Sequence, residues 1–333
     1  MQSRAVVLDQ EAAFPAEEVD RLRRQVDGDA HATDRLAATL MAIGEGNLSV
    51  GRIMEAHVNA AQLITLYGTD AQRRWACSGE DVFALWVTDP PNGGLQMQRC
   101  SEGIVLLGAK QFCSGAGHVT AAVITADDAS FGARMLAVRL NIGETVMPLP
   151  APLQGMRAAT TGAVDFSGCV VSETALLGEP GNYLREPVFS TGAWRGSAVA
   201  CGGLVALVDH AVRQLRQAKR LGSPFVRERL GALFIARETA RHWVDAAARI
   251  GADATAEPGR RIATVGLARI AVETACLDAM RLVQRSLGLS AFRQGSLVEL
   301  ICRDLATYLR QPAPDEVLAE AGTWFAEHPD LPT

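Results

Sequence analysis

The sequence predicts an α+β chain in three parts: an N-terminal helical domain over 1–80, a middle antiparallel β domain over 81–183, built as a barrel or orthogonal sandwich, and a C-terminal four-helix bundle over 184–333. Three observations predict it. Apolar residues recur at helical spacing as far as Arg74. Near Ser78-Gly79-Glu80-Asp81 the pattern shortens to brief apolar runs separated by turn residues. Beyond the turn at Glu179-Pro180-Gly181 the helical spacing returns and holds almost to the end.

In the first part, from about Glu17, Leu36, Leu40 and Ile43 line one helical face, and Ile53, His57, Ala60 and Ile64 line another. Gly44, Gly46 and Asn47 break the two apart, and Asp70 is placed to cap a short helix carrying Gln72 and Trp75. In the second part, strands are predicted at Val82–Val87, Ile104–Leu107, Ala121–Thr125, Met135–Val138, Thr145–Met147, Ala163–Phe166 and Cys169–Val171. Pro90-Pro91-Asn92-Gly93-Gly94 and Asp127-Asp128-Ala129 read as turns. The even spacing of short strands suggests a closed or folded-over β unit. In the third part, four stripes predict four helices: Val205 to Leu215, Leu230 to Ala247, Val265 to Leu282, and Val298 to Tyr308. Ala268, Ala275 and Ala279 permit close helix approach.

Composition narrows the function classes. The 333 residues are 48% hydrophobic, with a net charge of −5 and no basic tract, so a nucleic-acid partner is not expected. No apolar run approaches the roughly 18 residues that read as a membrane span, and acidic residues arrive too early in the N-terminus for a secretory signal. Seven scattered cysteines without a C-x-x-C pair predict reduced, mostly buried thiols, no disulfide framework and no metal site.

Three segments carry more than fold. Gly155-Met156-Arg157-Ala158-Ala159-Thr160-Thr161-Gly162-Ala163-Val164-Asp165-Phe166-Ser167-Gly168 leads into a strand. Upstream lie Trp86-Val87-Thr88-Asp89-Pro90 and Gly108-Ala109-Lys110-Gln111-Phe112-Cys113-Ser114-Gly115. Near the C-terminus Arg303-Asp304 follows Glu299. In this order, and with helical, β and helical parts around them, these segments resemble the acyl-CoA dehydrogenase family over nearly the whole chain. The N-terminal helical part is shorter than in most members.

The resemblance implies FAD held in extended form between the β domain and the bundle. The hydroxyl roles at the isoalloxazine edge fall on Thr88 and Ser114, and backbone groups at the pyrimidine end come from Trp86 and Val87. The covering aromatic falls on Phe112, where members usually have Trp. A hydroxyl can donate or accept a hydrogen bond, and a stacked aromatic excludes water. Read singly, each has a plainer role: Thr88 as a turn residue before Asp-Pro, Ser114 as a loop cap, Phe112 as β-domain core.

Acyl thioester dehydrogenation needs a carboxylate to take the α-proton. The family places it after the Arg-Asp pair, which here gives Pro312, or before an Arg in the first bundle helix, which here gives Trp194 before Arg195. Neither can take a proton, so no catalytic residue is identified. The cross-subunit Arg-x-x-Phe-Gly segment that reaches the FAD pyrophosphate is matched by Ala218-Lys219-Arg220-Leu221-Gly222, with Lys219, Arg220 or Arg216 as substitute cations. The Gln-x-x-Gly-Gly segment is degraded to Gln284-Arg285-Ser286-Leu287-Gly288-Leu289.

Other ionisable residues have structural readings. Asp315 and Glu316 read as helix-start acids, Asp209 and His210 as solvent-facing or locally paired, and His118 as a loop residue. His57 reads as a hydrogen-bonded core residue, and Glu299 with Arg303 as a helical ion pair. The resemblance thus implies an FAD-dependent oxidoreductase acting on an acyl thioester or related small molecule, as a homodimer or homotetramer, and the reduced cysteines suggest a cytoplasmic setting. The alternative is a catalytically degenerate relative that binds a thioester or a protein partner without dehydrogenation.

Overall fold

A computed structural model describes residues 1–30 and 32–329. Five helices come first: α1 (Gln2–Glu11), α2 (Ala16–Asp29), α3 (Thr33–Gly46), α4 (Leu48–Tyr67) and α5 (Asp70–Ala76). The break between α3 and α4 falls at Asn47, whose side chain accepts from the Ser49 and Val50 amides at 2.8 and 3.3 Å and so caps α4. α5 opens on a capping box formed by Thr69 and Gln72. Thr69 is therefore the cap, and Asp70 is the first helical residue. α1 lies outside the predicted helical stretch; its buried residues, Ala5, Leu8 and Asp9, form too short a stripe to read from spacing.

The middle region holds β1 (Phe83–Trp86), β2 (Gln96–Cys100), β3 (Gly103–Leu107), β4 (Ala109–Cys113), β5 (Ala121–Asp128), β6 (Gly132–Arg139), β7 (Thr145–Met147), β8 (Gly162–Asp165), β9 (Val170–Val171) and β10 (Leu176–Leu177). One sheet runs β10-β6-β5-β2-β3-β9 with β1 also on β5, and a second runs β4-β8-β7. Among the described residues no sheet closes into a barrel. The larger sheet is mixed rather than antiparallel throughout, because β1 and β2 both run parallel to β5. The chain between β1 and β5 carries three strands, long enough for the crossover that a parallel pair needs. β2 went unpredicted because only Met97 of Gln96–Cys100 is buried.

The last region comprises α6 (Val188–Thr191), α7 (Trp194–Gln217), α8 (Pro224–Ala252), α9 (Pro258–Leu287), α10 (Leu297–Tyr308) and α11 (Pro314–Glu327). The four predicted helices are α7 to α10; α11 follows them, with Asp315 and Glu316 in its first turn. α7 is central and packs on α3, α8, α9 and α10. The run Val188–Gln217 is long and apolar enough by composition to cross a membrane, but 72% of its most apolar window is buried inside the fold. α3 and α7 meet backbone to backbone. A Cβ added at Gly202 would overlap the Met41 carbonyl oxygen, and one at Gly44 would overlap that of Val199.

The Arg303-Asp304 pair is the joint between the three regions. Arg303 donates to Asp9 of α1 at 2.7 and 3.1 Å, to Glu299 at 2.7 Å, and to the Gln154 carbonyl at 2.9 Å. The expected Glu299–Arg303 ion pair is thus present within a larger network. Asp304 accepts from the Met156 amide at 2.7 Å, and Thr307 accepts from the Gly155 amide at 3.1 Å. Gly155 must be glycine here, since a Cβ would overlap the Arg303 carbonyl. Burial lifts the Asp304 carboxyl to about 7. The segment beginning at Gly155 therefore docks the β region onto α10.

Candidate active site

The two upstream segments lie side by side, tied by three bonds. The Trp86 indole donates to the Ser114 carbonyl at 3.0 Å, the Gln111 amide donates to the Thr88 carbonyl at 2.8 Å, and the Lys110 ammonium donates to Asp89 at 2.5 Å. Lys110 is 1% exposed and also reaches the Thr125 hydroxyl at 2.9 Å. Such burial is tolerable for an ammonium only with a paired charge and satisfied donors. Asp89 and Lys110 thus act as a clamp that fixes their neighbours.

What the clamp fixes is a rim. Thr88 is exposed and Val87 half-buried just past the end of β1, while Trp86 is buried beneath them. The pairing of β4 with β8 shifts register between Lys110 and Cys113, a bulge of the kind that re-aims a side chain. Phe112 sits in it with φ 55°, and its ring is 48% exposed rather than part of the β core. A bulky residue in the left-handed region is strained, and strain of this kind clusters at functional sites. Ser114 is buried, and its hydroxyl accepts from Arg52 Nε at 3.3 Å. With Arg52 donating into it, that hydroxyl keeps its own proton to give.

Val87 and Thr88 open onto a cavity of about 730 Å³ walled by α4, α7, α9, the α10–α11 loop and α11. Its floor is polar. On α4, Arg52 pairs with Glu55 at 2.6 Å, and Asn59 donates to Glu55 at 2.5 Å. From α7, Arg195 donates to the Asn59 amide oxygen at 2.9 Å and to that of Gln62. Burial pulls the Arg195 guanidinium down to about 10, still charged at neutral pH. The Tyr308 hydroxyl is buried without a hydrogen-bond partner, and burial raises its pKa well above the usual phenol value.

Pro312 lines this cavity, its carbonyl accepting from Arg269, and Trp194 is buried in the core. Neither position offers an acid. Of the carboxylates that do line the cavity, Glu55 has both oxygens committed, Glu273 pairs with Arg310 at 2.7 Å, and Glu320 is solvent-exposed.

The remaining predicted residues lie elsewhere. His118 stacks on Phe14 with ring centroids 4.6 Å apart. His57 is 1% exposed, accepts from the Phe83 amide at 3.0 Å and bonds Asp27 at 2.8 Å. Asp209 lies 3.4 Å from Arg237, and His210 bonds Gln2 at 3.2 Å. Arg216, Lys219 and Arg220 are exposed at the end of α7 and form no ion pair among the described residues.

No protein-family model matches the sequence, and no curated protein matches it. Solved structures do. Butyryl-CoA dehydrogenase from Megasphaera elsdenii superposes with a TM-score of 0.85 at 18% identity, covering 98% of this chain and 94% of that one. The glutaryl-coenzyme A dehydrogenase complex with glutaryl-CoA gives 0.82 at 18% identity, covering 97% and 91%. This chain has the acyl-CoA dehydrogenase fold. Dibenzothiophene monooxygenase from Paenibacillus sp. A11-2 shares that fold, with a TM-score of 0.85 at 17% identity over 100% of this chain and 95% of that one.

Within the acyl-CoA dehydrogenase fold the rim residues come together as a group, but the polar floor was not anticipated. Its signal was present: Arg52, Glu55, Asn59 and Gln62 recur at steps of three, four and three, a polar stripe along the helix that also carries the apolar face of Ile53, Ala60 and Ile64. Arg195 and Tyr308 join it from helices far away in sequence, which no local pattern reveals.

Proposed function

We propose that this chain is an acyl-CoA dehydrogenase-like flavoprotein. It holds FAD at Trp86, Val87, Thr88, Phe112 and Ser114 and acts as an oxidoreductase on an acyl thioester or related small molecule in the adjoining cavity. The observation that carries the proposal is the clamped rim: three bonds hold the Thr88 and Ser114 segments together beside a cavity that Val87 and Thr88 line. The rim fits the edge of a flavin ring. Thr88 offers a hydroxyl, Ser114 an O–H donor and Phe112 a flat exposed face. When bound, a flavin supplies the two-electron acceptor that no side chain can provide. Arg216, Lys219 and Arg220 are the cations proposed for the phosphate end, where the family's Arg and Phe are replaced by Ala218 and Leu221.

The neighbours are named for two coenzyme A thioesters and for dibenzothiophene, a range that supports an acyl thioester or related small molecule as the substrate class. The proposed assembly is a homodimer or homotetramer, supported by the apolar face of α8 on which Phe225 and Ile235 are 67% and 70% exposed. The proposed setting is cytoplasmic, in keeping with seven cysteines that are all free.

A second reading has its own support. With Pro312 and Trp194 at the two acid positions and both Glu55 oxygens engaged, the site is equally suited to binding a thioester or a protein partner without dehydrogenation. One experiment separates the readings. The purified protein should carry flavin absorption through gel filtration, or acquire it on addition of FAD, and an acyl thioester should bleach that absorption anaerobically. Retained flavin that no acyl-CoA bleaches favours the second reading, and a protein that never takes up flavin rules out the first.

A further inference from the structure

The joint between the three regions holds more acids than its cations serve. Three carboxylates meet there: Asp9 of α1, and Glu299 and Asp304 of α10. Arg303 lies among all three, but its donors are spent on the first two. Nε goes to Glu299, Nη1 to Asp9 and the Gln154 carbonyl, and Nη2 to Asp9. Its nearest approach to Asp304 is 3.8 Å, too long for a hydrogen bond. Arg157, the second cation, is 3.9 Å from Asp9 and 42% exposed, so solvent weakens its hold.

Asp304 is itself buried. Its Oδ1 accepts from the Met156 amide at 2.7 Å, and its Oδ2 has no donor among the described residues. The carboxyl borders a cavity of about 20 Å³ between α1, α3, α10 and the start of α4. The other charged residues on that wall, Asp9 and the half-buried Glu45 of α3, are both acids, and α4 adds only Leu48 and Ser49. Ionised, Asp304 would be a buried charge with one hydrogen bond and acidic neighbours; protonated, it sheds the charge and keeps the bond from Met156. Burial first, then the charges of Asp9 and Glu299, hold the carboxyl up at about 7 against the pull of the Met156 amide and Arg303.

The segment that Asp304 grips leads to the rim. Met156 opens the short 3-10 turn Arg157–Ala159, and the Ala159 carbonyl accepts from the Gly115 amide at 2.8 Å. The Thr161 hydroxyl lies 3.5 Å from that of Ser114, and β8 then begins at Gly162, opposite Cys113.

We propose that this joint is a proton-operated latch: protonated Asp304 docks the Gly155–Thr161 segment onto α10, and its ionisation loosens that segment and, through Ala159, the rim at Ser114. The latch goes beyond the flavoprotein reading and does not depend on it. The folded carboxyl titrates at about 7 against an ordinary 3.8, so the folded state holds the proton more tightly than the unfolded chain. Its contribution to stability is complete below the ordinary value, is lost as the pH rises to about 7, and falls no further above that.

The test is native-state hydrogen exchange of the full chain between pH 5 and 8.5, read at the Met156 amide and corrected for the intrinsic pH dependence of exchange. The opening constant at Met156 should rise about tenfold per pH unit up to about pH 7 and then level off, the slope of one proton. Asp304→Asn keeps an acceptor for that amide and cannot ionise, so its opening constant should stay flat over the same range. In urea unfolding, Asp304→Asn should gain on the wild type between pH 5 and 7 by the same factor per unit, with no further gain at pH 8.5. Met156 protection in the wild type that is constant or grows with pH overturns the inference, whether or not the variant folds. The same pH dependence in the wild type and Asp304→Asn would place the titrating group elsewhere and overturn it too.

Discussion

Replacing Gly202 by alanine is expected to destabilise this protein by about 3 kcal/mol or more, the upper end for overpacking a core. The added methyl would overlap the Met41 carbonyl oxygen and lie 2.7 Å from the Glu45 amide nitrogen. Both obstacles are backbone of α3, so no rotamer change relieves the clash, and α3 must move bodily off α7. That movement would propagate, because α7 is also the packing surface for α8, α9 and α10 and supplies Arg195 to the cavity floor. Gly231→Ala is the matched control. It lies within α8 with nothing within 4 Å of the added Cβ, and it should be neutral or gain about 0.5–1 kcal/mol from helix propensity. Urea unfolding of the two variants measures the contrast. A Gly202→Ala midpoint equal to that of Gly231→Ala would contradict the backbone contact between α3 and α7.

The second large effect is an asymmetry across the clamp. Asp89→Ala strands the Lys110 ammonium, 1% exposed, with only the Thr125 hydroxyl for company. Removing one partner of a buried pair typically costs about 3–5 kcal/mol, and since Asp89 is itself 46% exposed the lower end is expected. Lys110→Met removes the charge that needs burying and leaves Asp89 to the solvent, so its cost should be the smaller of the two. Because Asp89 follows Thr88 directly, Asp89→Ala should also loosen the rim. Unfolding midpoints in the order wild type, Lys110→Met, Asp89→Ala support the clamp. The reverse order would show that Lys110 is not held by Asp89.

Much of the fold could be read from residue spacing because its signals are local. Asn47 ends one helix and starts the next, and the change of period near Ser78 marks where strands begin. The bundle stripes survive because each helix buries one continuous face. The failures have physical causes. β2 presents Gln96, Gln98 and Arg99 to solvent and buries Met97 alone, so it lacks the apolar run that marks a strand. α1 is held less by apolar burial than by Asp9, whose partner Arg303 lies near the other end of the chain. The parallel pairing of β1 with β5 depends on a crossover that spacing does not encode.

The site divides the same way. The segments around Thr88 and Ser114 stood out because each is contiguous, and each contains one of the residues that clamp them, Asp89 and Lys110, whose pairing only the fold reveals. Phe112 left the core only because a bulge turned it out. The cavity floor assembles Arg52 and Glu55 from α4, Arg195 from α7 and Tyr308 from the end of α10. Asn59 links the Glu55 carboxylate to Arg195, a property of the folded arrangement rather than of any motif.

The most direct test of the central claim, that the clamped rim holds a flavin beside this cavity, is the flavin affinity of wild type against a Thr88→Val, Ser114→Ala double variant. It is measured by gel filtration with visible detection. Loss of two hydrogen bonds costs about 1–3 kcal/mol, so the wild type should carry flavin through the column while the double variant, its far-ultraviolet dichroism unchanged, binds roughly tenfold more weakly or emerges colourless. A double variant that retains flavin as tightly as the wild type, or a wild type that takes up none, would contradict the claim.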